Sequence, residues 1–308
     1  MRLAMSILVR DEVDIIEHNI RHHAALGVSR FIVTDNGSVD GTREILEELT
    51  KEFDLDIIDE PQKTIDQDLW VTRMAQQLQQ ENSADWVINN DADELWLPSQ
   101  GSLVSALKMA LSSSEHEPNE IGTVQCVRHN MLPSLEDVNR EGYTYAQNRF
   151  QVMQDWTDAA NALSLSEQSG QLAALYDNGK HIMIRTLPGK VIARLEGLKS
   201  VDMGNHGAQH ELKKIKTDII EIAHYPVRGF KQFQKKVTNY GSSLVNNTRF
   251  TDTTCRHLRY WFDRHLAGEL ELEYELIVLP EATLWPLVEQ GILRHLPEAS
   301  CDGFACSF

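Results

Sequence analysis

Cysteine is scarce in this chain of 308 residues: Cys126, Cys255, Cys301 and Cys306 are the only four, with no CxxC pair and no Cys/His ladder at zinc spacing. That excludes a disulfide framework or a zinc ribbon as the organiser of the fold, leaves Cys301 and Cys306 as spare thiols of the tail, and predicts a reducing, cytoplasmic setting. Long apolar runs are also missing. Leu3 to Val9, broken by Ser6, and Ile277 to Leu279 fall far short of the roughly 18 residues of a spanning helix. The N-terminus lacks the charged, apolar and small-residue order of a secretory leader, so secretion is not expected. Positive charge is short as well: 29 Lys and Arg against 46 Asp and Glu leave a net charge of -17, which speaks against broad nucleic-acid binding. No internal repeat, low-complexity tract or obvious linker interrupts the chain. What remains, 42% hydrophobic and 24% charged residues, is the composition of a folded, enzyme-sized α/β protein.

The first hundred residues alternate short apolar runs with amphipathic ones, the pattern of βα units on a mainly parallel, Rossmann-like sheet with flanking helices. Leu3 to Val9 reads as a strand. Val13, Ile16, Ile20 and His23 to Leu26 recur at helical spacing up to Gly27, and Phe31 to Thr34 is a second strand. Ile45, Leu46, Leu49 and Phe53 mark a helix, Leu55 to Ile58 a third strand, Leu69 to Leu78 a helix, and Trp86 to Ile88 a short buried strand. Gly101 to about Ser114 reads as helix and Gly122 to Arg128 as strand. Gln154 to Gly179 has no strong periodicity and reads as a mobile loop or a segment that covers the substrate. Strands over His181 to Thr186 and Lys190 to Arg194 flank an expected turn at Pro188-Gly189, and Phe230 to Leu244 is an amphipathic helix ahead of a helical tail.

Chemistry-bearing residues gather at strand ends, where open α/β sheets bind ligands. Asp91-Ala92-Asp93 follows a buried strand and sets two carboxylates where both reach one hard cation. Alone the pair serves equally as a solvated turn or helix cap. A nucleotide diphosphate supplies the missing partner, since a divalent ion bridging it to carboxylates anchors it and stabilises its departure. Asp35-Asn36-Gly37-Ser38-Val39-Asp40-Gly41-Thr42 ends the second strand, with Asp35 able to accept from a base or ribose and Ser38 or Asp40 able to cap the next helix.

Three stretches, Ile7 to Glu12 with the helix to Gly27, Asp35 to Thr42, and Asp85 to Glu94, resemble in order and spacing glycosyltransferase family 2, in its branch with the A-type nucleotide-sugar fold. A fourth, His224-Tyr225-Pro226-Val227-Arg228-Gly229-Phe230 with Phe233 and Lys236, looks like the late histidine motif of that branch. The resemblance implies a metal-dependent transfer of sugar from a UDP- or GDP-linked donor to a hydroxyl on a glycan, lipid-linked glycan or protein. It implies that Asp35 contacts the nucleoside, Asp91 the ribose or metal, Asp93 the metal, and His224 the metal from the opposite side. An imidazole beside carboxylates suits Mn²⁺ better than Mg²⁺. Arg10 and Glu12 at the first strand's end, Arg73 ahead of the motif strand and Lys236 are candidate nucleotide contacts. Lys190 and His206 fall where the branch tends to carry a lysine and a histidine. Gly229 departs from the family, where a serine is often found.

A displacement at the anomeric carbon needs a base, for which Asp202 and Glu211 are the candidates. The expected organisation is an A-type domain over 1–245, with a nucleotide-binding half at 1–98 and an acceptor half at 99–245, then a helical C-terminal extension over 246–308. Two other readings use the same residues. A nucleotidyltransferase would carry a glycine-rich basic loop after the first strand, where this chain has Arg10-Asp11-Glu12, and a non-catalytic nucleotide- or sugar-binding module would not need Asp91, Asp93 and His224 together.

Overall fold

The computed structural model describes residues 1–62, 66–154, 183, 186–245 and 255–296. The expected loop over 154–179, the strand over 181–186 and the tail cysteines fall, but for Gln154, Met183 and Thr186, outside them. The described residues form two compact units, one of residues 1–128 and 188–223, the other of the described parts of 129–187 and 224–300.

The first unit is built on β1 (Leu3–Val9), β2 (Arg30–Asp35), β3 (Leu55–Asp59) and β4 (Trp86–Asp91), parallel in the order β3-β2-β1-β4. Period-two alternation assigns each face. Leu3, Met5, Ile7 and Val9 pack with Phe31 and Val33 against α1 (Ile16–Ala25), α2 (Thr42–Leu49) and α4 (Leu103–Ser112). Ala4, Ile32 and Val87 face α3 (Gln67–Gln80) through Val71, Met74 and Leu78. The helices keep the spacing read from sequence. Gly27, at φ 97, ends the first in the left-handed region that a side chain resists, and Ser102 caps α4 by accepting from Ser105 N–H. A polar pair inside the sheet joins β1 to β4, where Ser6 Oγ donates to Asn89 Oδ1 at 2.9 Å.

Beyond β4 the sheet turns antiparallel. The strand β5 (Glu94–Pro98) begins three residues after β4 ends and pairs with β11 (Lys213–His224), which also pairs with β6 (Ile121–Leu132). The strand β8 (Leu187–Arg194) lies between β6 and β4, with Ile192 opposite Ile88. Pro188-Gly189 is therefore inside a strand and not the expected turn. Gly189 is required there by close approach, since a Cβ on it would lie 2.2 Å from the backbone oxygen of Cys126. Two further strands, β9 (Leu198–Val201) and β10 (Ala208–His210), pair as a separate antiparallel ribbon.

The second unit contains the end of β6, paired with β7 (Phe150–Val152), which pairs in turn with β12 (Leu293–His295). Around them lie α5 (Leu135–Val138), α6 (Phe230–Val245), α7 (Arg256–Leu266), α8 (Leu270–Ile277) and α9 (Glu281–Glu289). The helix expected over Phe230 to Leu244 is present, and Phe233 on its buried side meets Trp261 edge-on at 5.0 Å. Gly241 lets α7 come close, because any Cβ there would strike Phe262.

Candidate active site

The parallel register carries the first unit's candidate residues to one edge. Val9 pairs with Asp35 and Leu8 with Asp91, so Arg10, Asp35 and Asp91 end three neighbouring strands side by side. The strand order reverses between β1 and β4, the position at which open α/β sheets leave a crevice. Asp35 is buried; its Oδ1 accepts from Ser38 N–H at 3.0 Å and its Oδ2 lies 3.8 Å from Arg43 Nη1. Asp40, just ahead of the Gly41 N-cap of α2, accepts from Thr42 N–H at 3.1 Å and Val13 N–H at 3.3 Å. Asp11 takes the left-handed conformation, φ 56, and its Oδ1 receives Val39 N–H at 2.8 Å, while Glu12 N–H donates to Thr42 Oγ1. The two loops are thus tied together beneath the crevice. Arg10 Nε is buried with no hydrogen-bond partner among the described residues. Arg73 faces Glu60 Oε2 at 3.3 Å, a carboxylate beside the end of β3.

The Asp91–Glu94 turn is gripped from α1. Asn19 Nδ2 donates to the carbonyls of Ala92 and Glu94, both at 2.9 Å. His22 Nε2 meets Trp96 O at 3.1 Å, and His23 Nε2 accepts Trp96 N–H at 3.0 Å while its Nδ1 faces Asn19 O at 2.7 Å. Meeting both the N–H and the C=O of one residue requires His22 to carry a proton on Nε2 and His23 to be neutral with its proton on Nδ1. Burial supplies the neutrality: it lowers His22 to about 4 and drives His23 well below the ordinary histidine value.

Within this turn Asp91 accepts from three side-chain donors. Lys190 Nζ reaches Oδ2 at 2.5 Å, Gln67 Nε2 reaches Oδ1 at 2.9 Å, and Asn205 Nδ2 reaches Oδ1 at 3.1 Å. Lys190 also meets Glu94 Oε1 at 3.1 Å, and Arg128 meets the same oxygen at 2.8 Å. The antiparallel pairing of β8 with β4 puts the start of one beside the end of the other, which is how a residue 99 positions away arrives there. Asn205, at φ 58, belongs to a closed turn in which Asp202 N–H donates to Gly207 O and Asn205 N–H to Asp202 O. His206 follows with Nδ1 on Gly189 O at 3.1 Å; burial lowers its pKa, helped by nearby Lys190 and Arg128.

The remaining candidates have other partners. Asp202 serves its own turn and accepts from Gln209 Nε2 at 3.4 Å. Glu211 is exposed and paired with Lys199 at 3.2 Å. His224 and Lys236 belong to the second unit, on β11 and α6. There Asn130 Nδ2 donates to Met183 O at 3.0 Å, which turns Asn130 Oδ1 toward His224 Nδ1 at 2.7 Å, so a neutral His224 carries its proton on Nδ1 and its lone pair on Nε2. Sequence reasoning missed His257, which burial lowers to about 4, with Lys236 and His224 near enough to push further in that direction. It also missed Asn19, Gln67 and Asn205. Asn19, His22 and His23, polar residues on the inner side of an amphipathic helix, were the available signal.

Among the described residues no three His, Cys, Asp or Glu side chains converge on one point. The expectation of a cation shared by Asp91 and Asp93 also meets an Asp91 already neutralised by Lys190. Asp93, which is buried, fits the commoner arrangement for Mg²⁺ and its relatives, one or two carboxylates with substrate phosphates completing the set.

Residues 4–266 match the family model described as glycosyltransferase family 92. The chain belongs to that family. The resemblance to family 2 drawn from sequence thus stops at the reaction class and the α/β fold, and the family-92 chain is a glycosyltransferase. No curated protein sequence matches it. Among solved structures it is similar to S. aureus TarS 1-349 in complex with UDP (10% identity, 87% of this chain and 72% of that one, TM-score 0.33). It is also similar to the mannosyltransferase PcManGT from Pyrobaculum calidifontis in complex with GDP-Man and Mn2+ (14%, 94% and 79%, 0.42). A third is glucosyl-3-phosphoglycerate synthase from Mycobacterium tuberculosis with Mn2+, UDP and glucosyl-3-phosphoglycerate (16%, 82% and 81%, 0.35). Likenesses this remote say nothing about ligand or metal in this chain.

Proposed function

We propose that this family-92 glycosyltransferase takes its sugar from a nucleotide-diphosphate donor, UDP- or GDP-linked, and passes it to a hydroxyl of a glycan, lipid-linked glycan or protein. The observation that carries the reading is the register that sets Arg10, Asp35 and Asp91 side by side where the strand order reverses. In this reading Asp35 accepts a hydrogen bond from the base or ribose, and Arg10 and Glu12 border the nucleoside. Asp91, held by Lys190, accepts from the ribose hydroxyls. Arg73, beside the end of β3, stands on the diphosphate side. A divalent ion, Mn²⁺ or Mg²⁺, would be held by Asp93 with the donor's own phosphates and would neutralise charge on the departing diphosphate. Neither Asp202, locked in its turn, nor Glu211, on the outer ribbon, is assigned the base.

The test is calorimetric titration of UDP and GDP into the purified chain, with Mn²⁺ and with chelator. One nucleotide should bind, and at least tenfold more weakly without the ion. Failure to bind either nucleotide under both conditions would end the reading. Equal affinity in both would end its metal clause alone.

A further inference from the structure

The turn after β4 is charged where a folded interior avoids charge. The side chains of Lys190 and Glu94 are wholly buried and that of Arg128 is 9% exposed. Ion pairs taken out of water recover little more than their desolvation, and apolar side chains of similar length fill such space with equal or better stability. Stability therefore does not account for an ammonium here. What Lys190 does instead is geometric. Its ammonium takes one oxygen of Asp91, while Gln67 from α3 and Asn205 from the closed 202–207 turn take the other, so the carboxylate plane is fixed from three sides. The backbone accepts constraint to deliver those donors: Asn205 is left-handed without being glycine, and residue 189 has no room for a Cβ. Strain and buried charge concentrated around one strand-end carboxylate are the marks of a preorganised binding group.

We propose that Lys190 is a positioning residue of the transfer site, holding the Asp91 carboxylate through an ion pair shared with Glu94 in the single orientation that receives the donor's nucleoside diphosphate. The proposal rests on the nucleotide-sugar reading above. Lys190 acts through Asp91 and not on the phosphates, so its removal and the removal of the Asp91 charge must report on the same interaction.

The test is a double-mutant cycle on the full chain, with UDP and GDP as probes in Mn²⁺ and affinities measured well below the Tm of each variant. Lys190→Met and Asp91→Asn should each weaken nucleotide binding tenfold or more, and the double variant should bind no worse than the weaker single, because the two residues act as one unit. Losses that multiply in the double variant would show Lys190 acting on its own and overturn the proposal. So would a Lys190→Met protein that melts earlier yet binds nucleotide normally, the signature of a merely structural role. Should Lys190→Met fail to fold, Gln67→Leu interrogates the same clamp from the edge of α3. About threefold weaker binding is expected, and unchanged affinity overturns the assignment. A wild-type chain that binds no nucleoside diphosphate would bring down the parent reading and the proposal together, whereas wild-type binding with unaffected variants would bring down the proposal alone.

Discussion

Mild acid should loosen the turn that carries Asp91 and Asp93 before it affects the rest of the first unit. The perturbation acts on His22 and His23, which hold the backbone oxygen and N–H of Trp96 and which burial keeps neutral. In the unfolded chain an imidazole has its ordinary value near 6.5, whereas burial lowers His22 to about 4 in the fold. The unfolded state therefore binds a proton that the native state refuses. The stabilisation is complete above about pH 6.5 and is lost progressively as the pH falls toward the native value. At pH 5 an unfolded imidazole is protonated roughly thirty to one and native His22 hardly at all, which makes the loss from this residue about 2 kcal/mol. His23 adds to it with the same sign. Against a usual domain stability of about 5–15 kcal/mol, such a loss is readily measured. The assay is urea denaturation at intervals between pH 8 and 4.5 for wild type and His22→Gln, in which the amide keeps a donor for Trp96 O but cannot titrate. The variant should lose about 2 kcal/mol less than wild type between pH 7.5 and 5. Parallel curves for the two proteins would refute the neutral-imidazole account of this brace.

Two further outcomes are expected. Gly189→Ala should destabilise the first unit by about 1–3 kcal/mol in chemical denaturation, because the added Cβ strikes the Cys126 carbonyl and the strand cannot yield without moving Lys190. A variant as stable as wild type would remove the close-approach explanation. Asp35→Ala should weaken nucleoside diphosphate binding by about 1–3 kcal/mol in calorimetry, the usual effect of losing a charge-assisted hydrogen bond, while leaving the response to Mn²⁺ in place. Unaltered binding would reduce Asp35 to the turn residue that its bond from Ser38 N–H already makes it.

Much of the first unit was legible because its strands are buried on both faces and so read as near-continuous apolar runs, with Gly27 and the Asn36–Gly41 string punctuating them. Local signals of that kind also put Asp35 and Asp91 at strand ends, where the fold has them. What could not be read was the company Asp91 keeps. Lys190 reaches it through antiparallel pairing of strands about a hundred residues apart, Asn205 through a left-handed turn, and no periodicity encodes either. Pro188-Gly189 was misread for the same reason: a glycine needed for a neighbour's carbonyl has the same sequence appearance as one needed for a turn. The strand β11 is a different case, since Ile215 and the pairs after Asp218 do alternate, but four charged residues in its first six mask the pattern. Asp202 and Glu211 were two among many acidic residues, and in the fold the backbone of Asp202 closes a turn while Glu211 pairs with Lys199.

The claim at the centre of this account is that a nucleotide-diphosphate sugar is the donor. It is tested most directly by incubating the chain with a panel of UDP- and GDP-sugars and Mn²⁺, with simple glycans as acceptors, and identifying the phosphorylated product by ³¹P NMR. The account predicts that one donor yields free nucleoside diphosphate, and that Asp93→Asn abolishes its release. A product set of nucleoside monophosphate with sugar phosphate, or a panel left intact by a chain that also binds no nucleoside diphosphate, would contradict it.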